Sequence, residues 1–240
     1  MIGRKDLLWL SYRRLQQLHG EAEFGFLARC FLLPEERDRC REAMEAGAGV
    51  MIVKPPNYYC GIGIRLINKP AELPQKKIRT VVQEYIDRPL LIRSLKFDLR
   101  VYVLLTSVCP LRLYLYEDGL VRFATKEYSN NPEDIDNKFI HITNFSVNKS
   151  NKEFVYSERP GEYEGHKWSL RTLWRYLDQE LGLDWRPVWE RTKEVPLVNI
   201  YLSRIYLVSA VHSIFIIYYF YYQGVCEDRA GWPRGYPAGD

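Results

Sequence analysis

The amino-acid sequence predicts an α+β fold in which helices pack on an antiparallel sheet. Two long runs rich in β-branched and aromatic residues, 96–105 and 111–124, show the alternation with period 2 that is typical of strands. The stretch 166–181 instead carries leucine and tryptophan at intervals of three and four residues, which is the spacing of one helix face. Strand runs combined with such helices indicate an α+β architecture.

Composition is typical of a globular protein from a reducing compartment. The 240 residues suffice for one large domain or two small ones, and a hydrophobic content of 47% is ample for a core. The five cysteines lack C-x-x-C spacing and the four histidines lack metal-ligand spacing, so neither a disulfide framework nor a zinc site is indicated. The formal net charge of +4 suits an acidic partner, and no basic–aromatic cluster points to nucleic acid.

The first half of the chain predicts two helices and three short strands. An amphipathic helix is expected over residues 7–18, and a second helix follows Pro34, which suits a first turn, and ends at Gly47. Lys54 ends the first strand, and a turn-rich loop occupies residues 55–63. The predicted strands cover residues 50–53, 62–67 and 81–86.

The clearest strand prediction is a hairpin within residues 96–124. Asp118-Gly119 lies between two β-rich runs and predicts the turn, because a two-residue hairpin turn needs positive φ. Three charged groups in a row on one face of the first strand suit the floor of a polar cleft, although an ordinary solvated sheet face would show the same composition. The two faces carry Phe97, Leu99, Val101 and Val103 on one side and Lys96, Asp98, Arg100 and Tyr102 on the other.

The rest of the chain predicts a polar loop followed by two helices. Residues 128–136 are polar and contain Asn-Asn-Pro, which indicates a loop. The amphipathic helix over residues 166–181 ends at Gly182, a residue suited to the position after a helix. Asp184 suits the N-cap of a further short helix.

The strand block at 96–124, together with the motif His-Ile-Thr-Asn-Phe-Ser-Val-Asn-Lys over residues 141–149, resembles the signature of the tubulin tyrosine ligase-like family. The resemblance is closest to the polyglutamylase branch, whose members attach glutamate to side chains of tubulin and some other acidic proteins. It covers about residues 2–195, with several motifs in the family's order. It implies a partial ATP-grasp-like fold, in which an antiparallel sheet is packed with helices.

The resemblance implies that ATP binds to the chain, and it assigns the residues that would hold it. Lys54, in its Ile-Val-Lys-Pro-Pro context, would contact the phosphates, and without the resemblance it would be an ordinary solvated lysine. Arg100 is assigned to catalysis together with Lys54, with a salt bridge to Asp98 as the structural alternative. The nucleotide-binding assignments are Lys54, Gly61, Gln83, Glu84, Tyr85, Ile86, Lys96, Phe97, Asp98, Thr143 and Asn144.

The resemblance also implies magnesium, whose site stays unassigned. The family's principal ligands are a late aspartate and a Glu-x-Asn motif, and nothing after Val195 matches them. Asp98 would approach either the metal ion or the ribose. Three further residues match family positions that bind the incoming glutamate: Arg122, Ser146 and Lys167. Lys167 is expected at the start of the amphipathic helix, and His141 is expected to be structural.

One position departs from the family pattern. An arginine that contacts the phosphates and the acceptor side chain precedes the first glycine of the phosphate loop in the family, and this chain has Cys60 there. A thiol cannot replace a guanidinium with five donors and a fixed charge. The loss of one such contact costs about two to three decades in rate.

Both ends of the chain depart from the family as well. The resemblance implies an N-terminal remnant over residues 1–48, an incomplete ligase domain over 49–195 and a divergent tail over 196–240. In the tail, residues 205–222 form an apolar run close to the roughly 17 residues that a short transmembrane helix needs. The alternatives are a buried strand or helix and a splice or gene-model product, and the abrupt loss of family pattern favours the last.

The resemblance therefore implies an ATP-dependent ligase that adds glutamate to γ-carboxylates of tubulin side chains. Its partners would be free glutamate and the acidic tails of tubulin or microtubules, and its location the cytoplasm and cytoskeleton, including cilium or basal body. The alternative is a catalytically inactive form that binds tubulin or another partner. A membrane-tethered fragment is a third hypothesis.

Overall fold

The computed structural model describes residues 4–22, 24–25, 27–75, 78–157, 161–193 and 216–223. The chain divides into two compact units, one from residues 1–87 and 129–138 and the other from residues 88–128 and 139–240. Each unit contains its own antiparallel sheet. The predicted α+β class is therefore confirmed, with two sheets in place of one.

The first unit has a four-stranded sheet in the order β1-β4-β2-β3. Its elements are α1 Lys5–His19, β1 Cys30–Leu33, α2 Arg37–Glu45, β2 Met51–Lys54, β3 Arg65–Ile67 and β4 Thr80–Glu84, with short 3-10 turns at Pro70–Glu72 and Pro132–Asp134. Side chains from all four strands and α2 form the core, among them Leu33, Cys40, Met51, Ile67 and Val82.

Two predicted boundaries in the first unit shift for local reasons. The helix expected after Pro34 begins at Arg37, because Glu36 has non-helical backbone angles and its side chain accepts a hydrogen bond from the Leu32 amide, 2.9 Å. The strand expected from residue 62 begins at Arg65. Gly63, at φ 72°, is in a left-handed conformation that a strand cannot contain.

The second unit has a five-stranded sheet in the order β5-β6-β7-β8, with β9 also paired to β6. Its elements are β5 Leu91–Ile92, β6 Leu95–Val108, β7 Leu111–Phe123, α3 Lys138–His141, α4 Phe145–Asn148, β8 Lys167–Ser169, α5 Leu170–Gln179 and β9 Ile216–Gln223. Residues 186–193 are helical, which agrees with the helix expected after Asp184.

The core of the second unit lies between one face of this sheet and α5. The predicted apolar face of β6 is confirmed, because Phe97, Leu99 and Val101 are all buried. The leucine and tryptophan stripe of α5 packs against that face, together with Val121, Phe123 and Trp168. Burial of about 1.5–3 kcal/mol per large apolar side chain stabilises this layer.

The expected hairpin turn at Asp118-Gly119 is wrong. Gly119 lies inside β7, where it pairs with Val101, and the connection between β6 and β7 is Cys109-Pro110. Gly119 is required for packing instead: a Cβ atom there would clash with the carbonyl of Arg100 and lie 2.8 Å from Leu170 Cδ1. The Asp118 side chain stabilises the first turn of α5, because its Oδ1 accepts the backbone N–H of Arg171 at 3.3 Å.

The helix predicted over residues 166–181 is also too long at its start. Residues Lys167–Ser169 form β8, which pairs with β7, and the helix begins at Leu170. Ser169 is the N-cap, and its side chain accepts the Thr172 amide at 3.1 Å. Lys167 therefore lies on a strand and not on the first helical turn.

The end of the apolar run at 205–222 forms a strand. Residues 216–223 make β9, which pairs with β6 from Asp98 to Leu105, whereas residues 205–215 lie outside the described residues. In the described parts of the chain, no helix is both long and apolar enough to cross a membrane.

Replacement of Gly119 tests its role in packing. We expect Gly119→Asn to destabilise the chain by about 1–3 kcal/mol, because any side chain overpacks the contact with Arg100 and Leu170. Gly182→Asn is the matched control, since Gly182 has φ 62° with open space around it, and asparagine tolerates that conformation. Urea unfolding followed by tryptophan fluorescence measures both variants. Equal stability of Gly119→Asn and the wild type would contradict the packing role.

Candidate functional site

Three charged residues lie side by side across the sheet of the second unit. Asp98 on β6 is directly opposite Arg122 on β7, and Arg122 is directly opposite Lys167 on β8. Directly opposed residues in antiparallel strands point to the same face. This face is the one turned away from the α5 core, so the predicted separation of charged and apolar faces is confirmed.

The charged face is more buried than an open cleft floor would be. Asp98 is 3% exposed, Arg122 5% and Lys96 7%, whereas Lys167 is exposed. Buried charges persist only when they are paired and hydrogen-bonded. The centre of the row is thus a preorganised electrostatic arrangement, and its Lys167 end is open to ligands.

Asp98 and Arg122 form a two-point ion pair. Arg122 Nε donates to Asp98 Oδ1 at 2.8 Å, and Arg122 Nη2 donates to Asp98 Oδ2. Burial raises the pKa of Asp98, whereas hydrogen bonds from Arg122 and Thr143 and the charge of Arg100 oppose that shift. The two-point partner of Asp98 is therefore Arg122, and Arg100 adds an electrostatic attraction.

A buried asparagine that the sequence prediction missed holds the loop with Thr143 and Asn144. Asn148 is fully buried, and its Oδ1 accepts both the backbone N–H and the hydroxyl of Thr125 at 3.0 Å. Its Nδ2 donates to the carbonyls of Ile142 at 2.6 Å and Asn144 at 3.1 Å. In the sequence, the position of Asn148 inside the signature motif could have indicated this role.

Lys96 lies at the start of β6, beside the ring of Tyr128. Its Nζ is 5.8 Å from the centroid of the Tyr128 ring, a cation–π distance. Tyr128 in turn packs edge-to-face on His141, with 5.9 Å between ring centroids. His141 is buried, consistent with a structural role. Phe97, the neighbour of Lys96, has its side chain in the core, so only its backbone can face a ligand.

Ser146 and Lys167 lie near one aromatic ring. Ser146 is half-buried on α4, next to Phe145, and Lys167 Nζ lies 6.0 Å from the Phe145 ring centroid. Lys149 Nζ lies 5.8 Å from the same centroid. Two ammonium groups therefore lie within cation–π distance of Phe145, the residue before Ser146.

In the first unit, the predicted phosphate-binding lysine is buried at the end of β2. Lys54 is 9% exposed, and its Nζ donates to Gln83 Oε1 at 2.7 Å. Gln83 Nε2 donates in turn to the Ala28 carbonyl at 3.1 Å. The structure thus brings Lys54 and Gln83, two of the predicted nucleotide residues, into direct contact.

Burial lowers the pKa of Lys54 to about 8. The folded-state pKa lies below the value of about 10.4 for an unfolded chain, so the charged form is the disfavoured one in the fold. The contribution of Lys54 to stability therefore rises as pH increases from about 8 to about 10.4. A neighbouring thiol stays protonated, since burial raises the pKa of Cys30 to about 12.

The predicted phosphate loop has left-handed residues at its centre. Gly61 has φ 80°, and Cys60 before it has φ 56° with an exposed thiol. Lys5 of α1 ties the start of the loop to the helix, because its Nζ donates to the carbonyls of Pro55 at 3.2 Å and Tyr58 at 2.7 Å. The position that holds an arginine in the family is therefore solvent-facing here.

Three further predicted nucleotide residues, Glu84, Tyr85 and Ile86, follow Gln83 at the end of β4. The Glu84 side chain pairs with Arg29 at 2.5 Å, and the Tyr85 amide donates to the Val50 carbonyl at 2.9 Å. Ile86 follows as a half-buried residue beyond the strand. Glu84 and Tyr85 are thus held by the protein itself, which fixes the position of Ile86.

Two of the predicted nucleotide residues are buried lysines, one in each unit. Buried ammonium groups at Lys54 and Lys96 suit phosphate oxygens. Within the described ranges, no group of three or more histidine, cysteine, aspartate or glutamate side chains is placed to hold a metal. Both oxygens of Asp98 accept hydrogen bonds from Arg122, so a magnesium ion at Asp98 would share these oxygens with the guanidinium.

Comparison with known proteins gives relatives that agree with the resemblance seen in the sequence. A model of the tubulin-tyrosine ligase family matches residues 1–215, about 20 residues beyond the end expected from the motifs. Tubulin monoglutamylase TTLL4 from Homo sapiens is 44% identical over 209 residues, which is 87% of this chain and 17% of that protein. Tubulin polyglutamylase TTLL5 from Homo sapiens is 39% identical over 210 residues, or 87% of this chain and 16% of that protein.

A third relative has a lower sequence identity and a shorter chain than the two human proteins. Tubulin polyglutamylase ttll-4 from Caenorhabditis elegans is 38% identical over 203 residues, which is 84% of this chain and 32% of that protein. The chain thus spans about one sixth of the length of the two human relatives and a third of the nematode one.

Breaking the Asp98–Arg122 pair on one side tests its contribution. We expect Arg122→Gln to lower the free energy of unfolding by about 3–5 kcal/mol, because it leaves a buried carboxylate without its partner. The double variant Asp98→Asn/Arg122→Gln should recover part of that loss, since both groups are then neutral. Urea unfolding of the two single variants and the double variant completes the cycle. Strictly additive losses would show that the two side chains do not interact.

Proposed function

The chain belongs to the tubulin-tyrosine ligase family, and from that premise we propose that it acts in ATP-dependent ligation of glutamate to glutamate side chains of tubulin. Ligases of this family are ATP-dependent. Support for glutamate and tubulin comes from relatives named tubulin monoglutamylase and tubulin polyglutamylase, at 44% and 39% identity.

The observation that carries the proposal is the row of Asp98, Arg122 and Lys167 on one sheet face. A guanidinium offers five N–H donors in a fixed fork that matches a carboxylate, and the pair with Asp98 uses two of them. Arg122 and Lys167 together with Ser146 would bind the incoming glutamate. The row would thus hold an anionic amino acid at a position fixed by the sheet.

Each unit carries residues that the resemblance assigns to the nucleotide, Lys54 in the first unit and Lys96 in the second. Lys54 and Lys96 would contact its phosphates, and their burial gives each charge a stronger effect than it has in water. Lys54 and Arg100 are the proposed catalytic cations. The remaining contacts would come from Gly61, Gln83, Glu84, Tyr85, Ile86, Asp98, Thr143, Asn144 and the backbone of Phe97.

The proposed chemistry has two steps. A γ-carboxylate of the acceptor takes the terminal phosphoryl group of ATP and becomes an acyl phosphate. The amine of free glutamate then attacks the acyl carbon, phosphate leaves, and an isopeptide bond forms. Cations that face the transferring phosphoryl group stabilise its charge, and a bound amino acid raises its effective concentration at the acyl carbon. Magnesium, which ligases of this family normally use with ATP, is part of the proposal, and no residue of this chain is assigned as its ligand.

Acidic tubulin tails are the proposed acceptor, which agrees with the formal net charge of +4. With tubulin as the acceptor, we also propose that the protein associates with the cytoskeleton. More specifically, we propose a role at cilia or basal bodies.

A non-catalytic role is the second candidate, and Cys60 favours it. The thiol is exposed at the position of a family arginine that contacts the phosphates and the acceptor. Without that cation the chain would bind a nucleotide or tubulin but transfer glutamate slowly.

Nucleotide binding should depend on pH through Lys54. An anionic ligand favours the charged lysine, so affinity for ATP should be constant from pH 7 to about 8 and fall by up to about tenfold for each further pH unit. Lys54→Arg, whose guanidinium stays charged, should keep its affinity up to pH 9. Calorimetric titration with ATP measures both, with and without magnesium. The same fall in both proteins would exclude Lys54 as the titrating group.

Glutamate incorporation into purified tubulin tests the activity directly. We expect Cys60→Arg to incorporate labelled glutamate roughly a hundredfold faster than the wild type, because it restores a phosphate-facing cation. Arg122→Lys in the Cys60→Arg background should raise the KM for glutamate by about tenfold, since an ammonium cannot replace the fork. Folded, ATP-binding samples that incorporate no glutamate with either residue at position 60 would refute the ligase proposal.

A further inference from the structure

An exposed surface of aromatic and lysine side chains lies beside the candidate glutamate site. We propose that this aromatic–lysine surface binds an acidic peptide segment of the protein acceptor. The inference rests on the proposed ligation of glutamate to an acidic protein. The surface consists of Phe145, Lys149, Phe154, Tyr156 and Lys167.

Three rings give the surface a defined shape. Phe145 packs edge-to-face on Phe154 with 5.6 Å between ring centroids, and Phe154 packs in the same way on Tyr156 at 5.0 Å. Phe145 and Tyr156 are 6.3 Å apart. These distances lie in the favoured range for aromatic pairs, so each ring restrains the other two.

The segment that carries two of these rings is joined to β8. The Val155 amide donates to His166 Nδ1 at 3.0 Å, and the His166 amide donates to the Val155 carbonyl at 3.0 Å. The His166 ring also packs on Phe154, with centroids 5.4 Å apart. Burial lowers the pKa of His166, against smaller opposing effects of the Val155 backbone hydrogen bond and of Glu153, which agrees with Nδ1 as the acceptor of the Val155 amide. Lys167 follows directly on the same strand.

Two ammonium groups lie over the same ring. Lys149 Nζ is 5.8 Å and Lys167 Nζ is 6.0 Å from the Phe145 centroid. A cation–π contact restrains an ammonium group but leaves its N–H donors available to carboxylates. The neighbouring Lys152 and Glu153 are both exposed, and their opposite charges offset each other. The surface therefore carries a positive charge that complements an acidic chain.

The apolar part of the surface favours a peptide over free glutamate. Phe145 is 36% and Tyr156 63% exposed, so there is apolar area for a ligand to cover. Free glutamate has little apolar surface, and the buried Arg122 already offers a place for one small carboxylate. A peptide brings several carboxylates and a backbone that can lie on the rings. The lysine shared with the glutamate site, Lys167, would place the acceptor next to the incoming amino acid.

Peptide binding to the full chain tests the proposal without requiring catalysis. The probe is a fluorescein-labelled peptide of eight glutamates, titrated by anisotropy at low and moderate salt. We expect Lys149→Gln and Tyr156→Ala each to raise its Kd by about threefold or more, in line with the loss of one charge or ring contact. The matched control is Lys193→Gln, since Lys193 Nζ lies 6.0 Å from the Trp189 ring in a helix elsewhere in the unit. That variant should bind like the wild type.

The outcomes separate this surface from the proposed function. Unchanged peptide Kd in both surface variants, equal weakening by Lys193→Gln, or no binding to the wild type would overturn the proposal. If Lys149→Gln weakens free glutamate as much as the peptide, Lys149 belongs to the amino-acid site and the acceptor assignment is wrong. Normal peptide binding with no ligation activity would leave the surface intact and remove only the ligase function. ATP affinity, measured in parallel, should be the same in all variants.

Discussion

The buried ion pair of Asp98 and Arg122 is the constraint on which the second unit depends. It occupies the middle of a row across three strands, and the loop bearing Thr143 is hydrogen-bonded to the same carboxylate. Two charges removed from water persist only with good geometry and further hydrogen bonds. The pair therefore fixes the register of β6 against β7, the orientation of the guanidinium and the position of the Thr143 loop at once.

The buried Lys54 of the candidate site lowers the free energy of unfolding at neutral pH in the absence of ligand. Lys54 has a pKa lowered to about 8 by burial, so its charged form is disfavoured in the fold. A site that holds phosphates needs such charges where water is excluded, because they act most strongly there. The first unit compensates through a compact core of strand and α2 side chains, among them Leu33 and Met51. An anionic ligand would offset this cost when it binds, because it favours the charged form of Lys54.

The sequence predicted the parts of the fold that follow from local pattern. Alternation on β6 and the leucine stripe of α5 correctly predicted the buried face of each element, because the burial of apolar side chains determines both patterns. The hairpin turn predicted at Asp118-Gly119 was wrong, because Gly119 is needed for close packing on the Arg100 carbonyl and Leu170, which are distant in sequence. Lys167 was placed on a helix because nothing local shows that β7 pairs with it. Within the site, residue types were predictable from family motifs, but the pairing of Asp98 with Arg122 and the role of Asn148 depend on tertiary contacts.

The central claim is that Arg122, held by Asp98, binds the carboxylate of the incoming amino acid. The most direct measurement is the ¹⁵N resonance of Arg122 Nε, assigned by its loss in an Arg122 variant, during titration with glutamate. We expect this N–H to be protected from solvent exchange before addition, because it donates to Asp98, and its resonance to shift saturably with glutamate. A resonance that exchanges freely, or one unmoved at saturating glutamate, would show that Arg122 is not held by Asp98 or does not bind the amino acid.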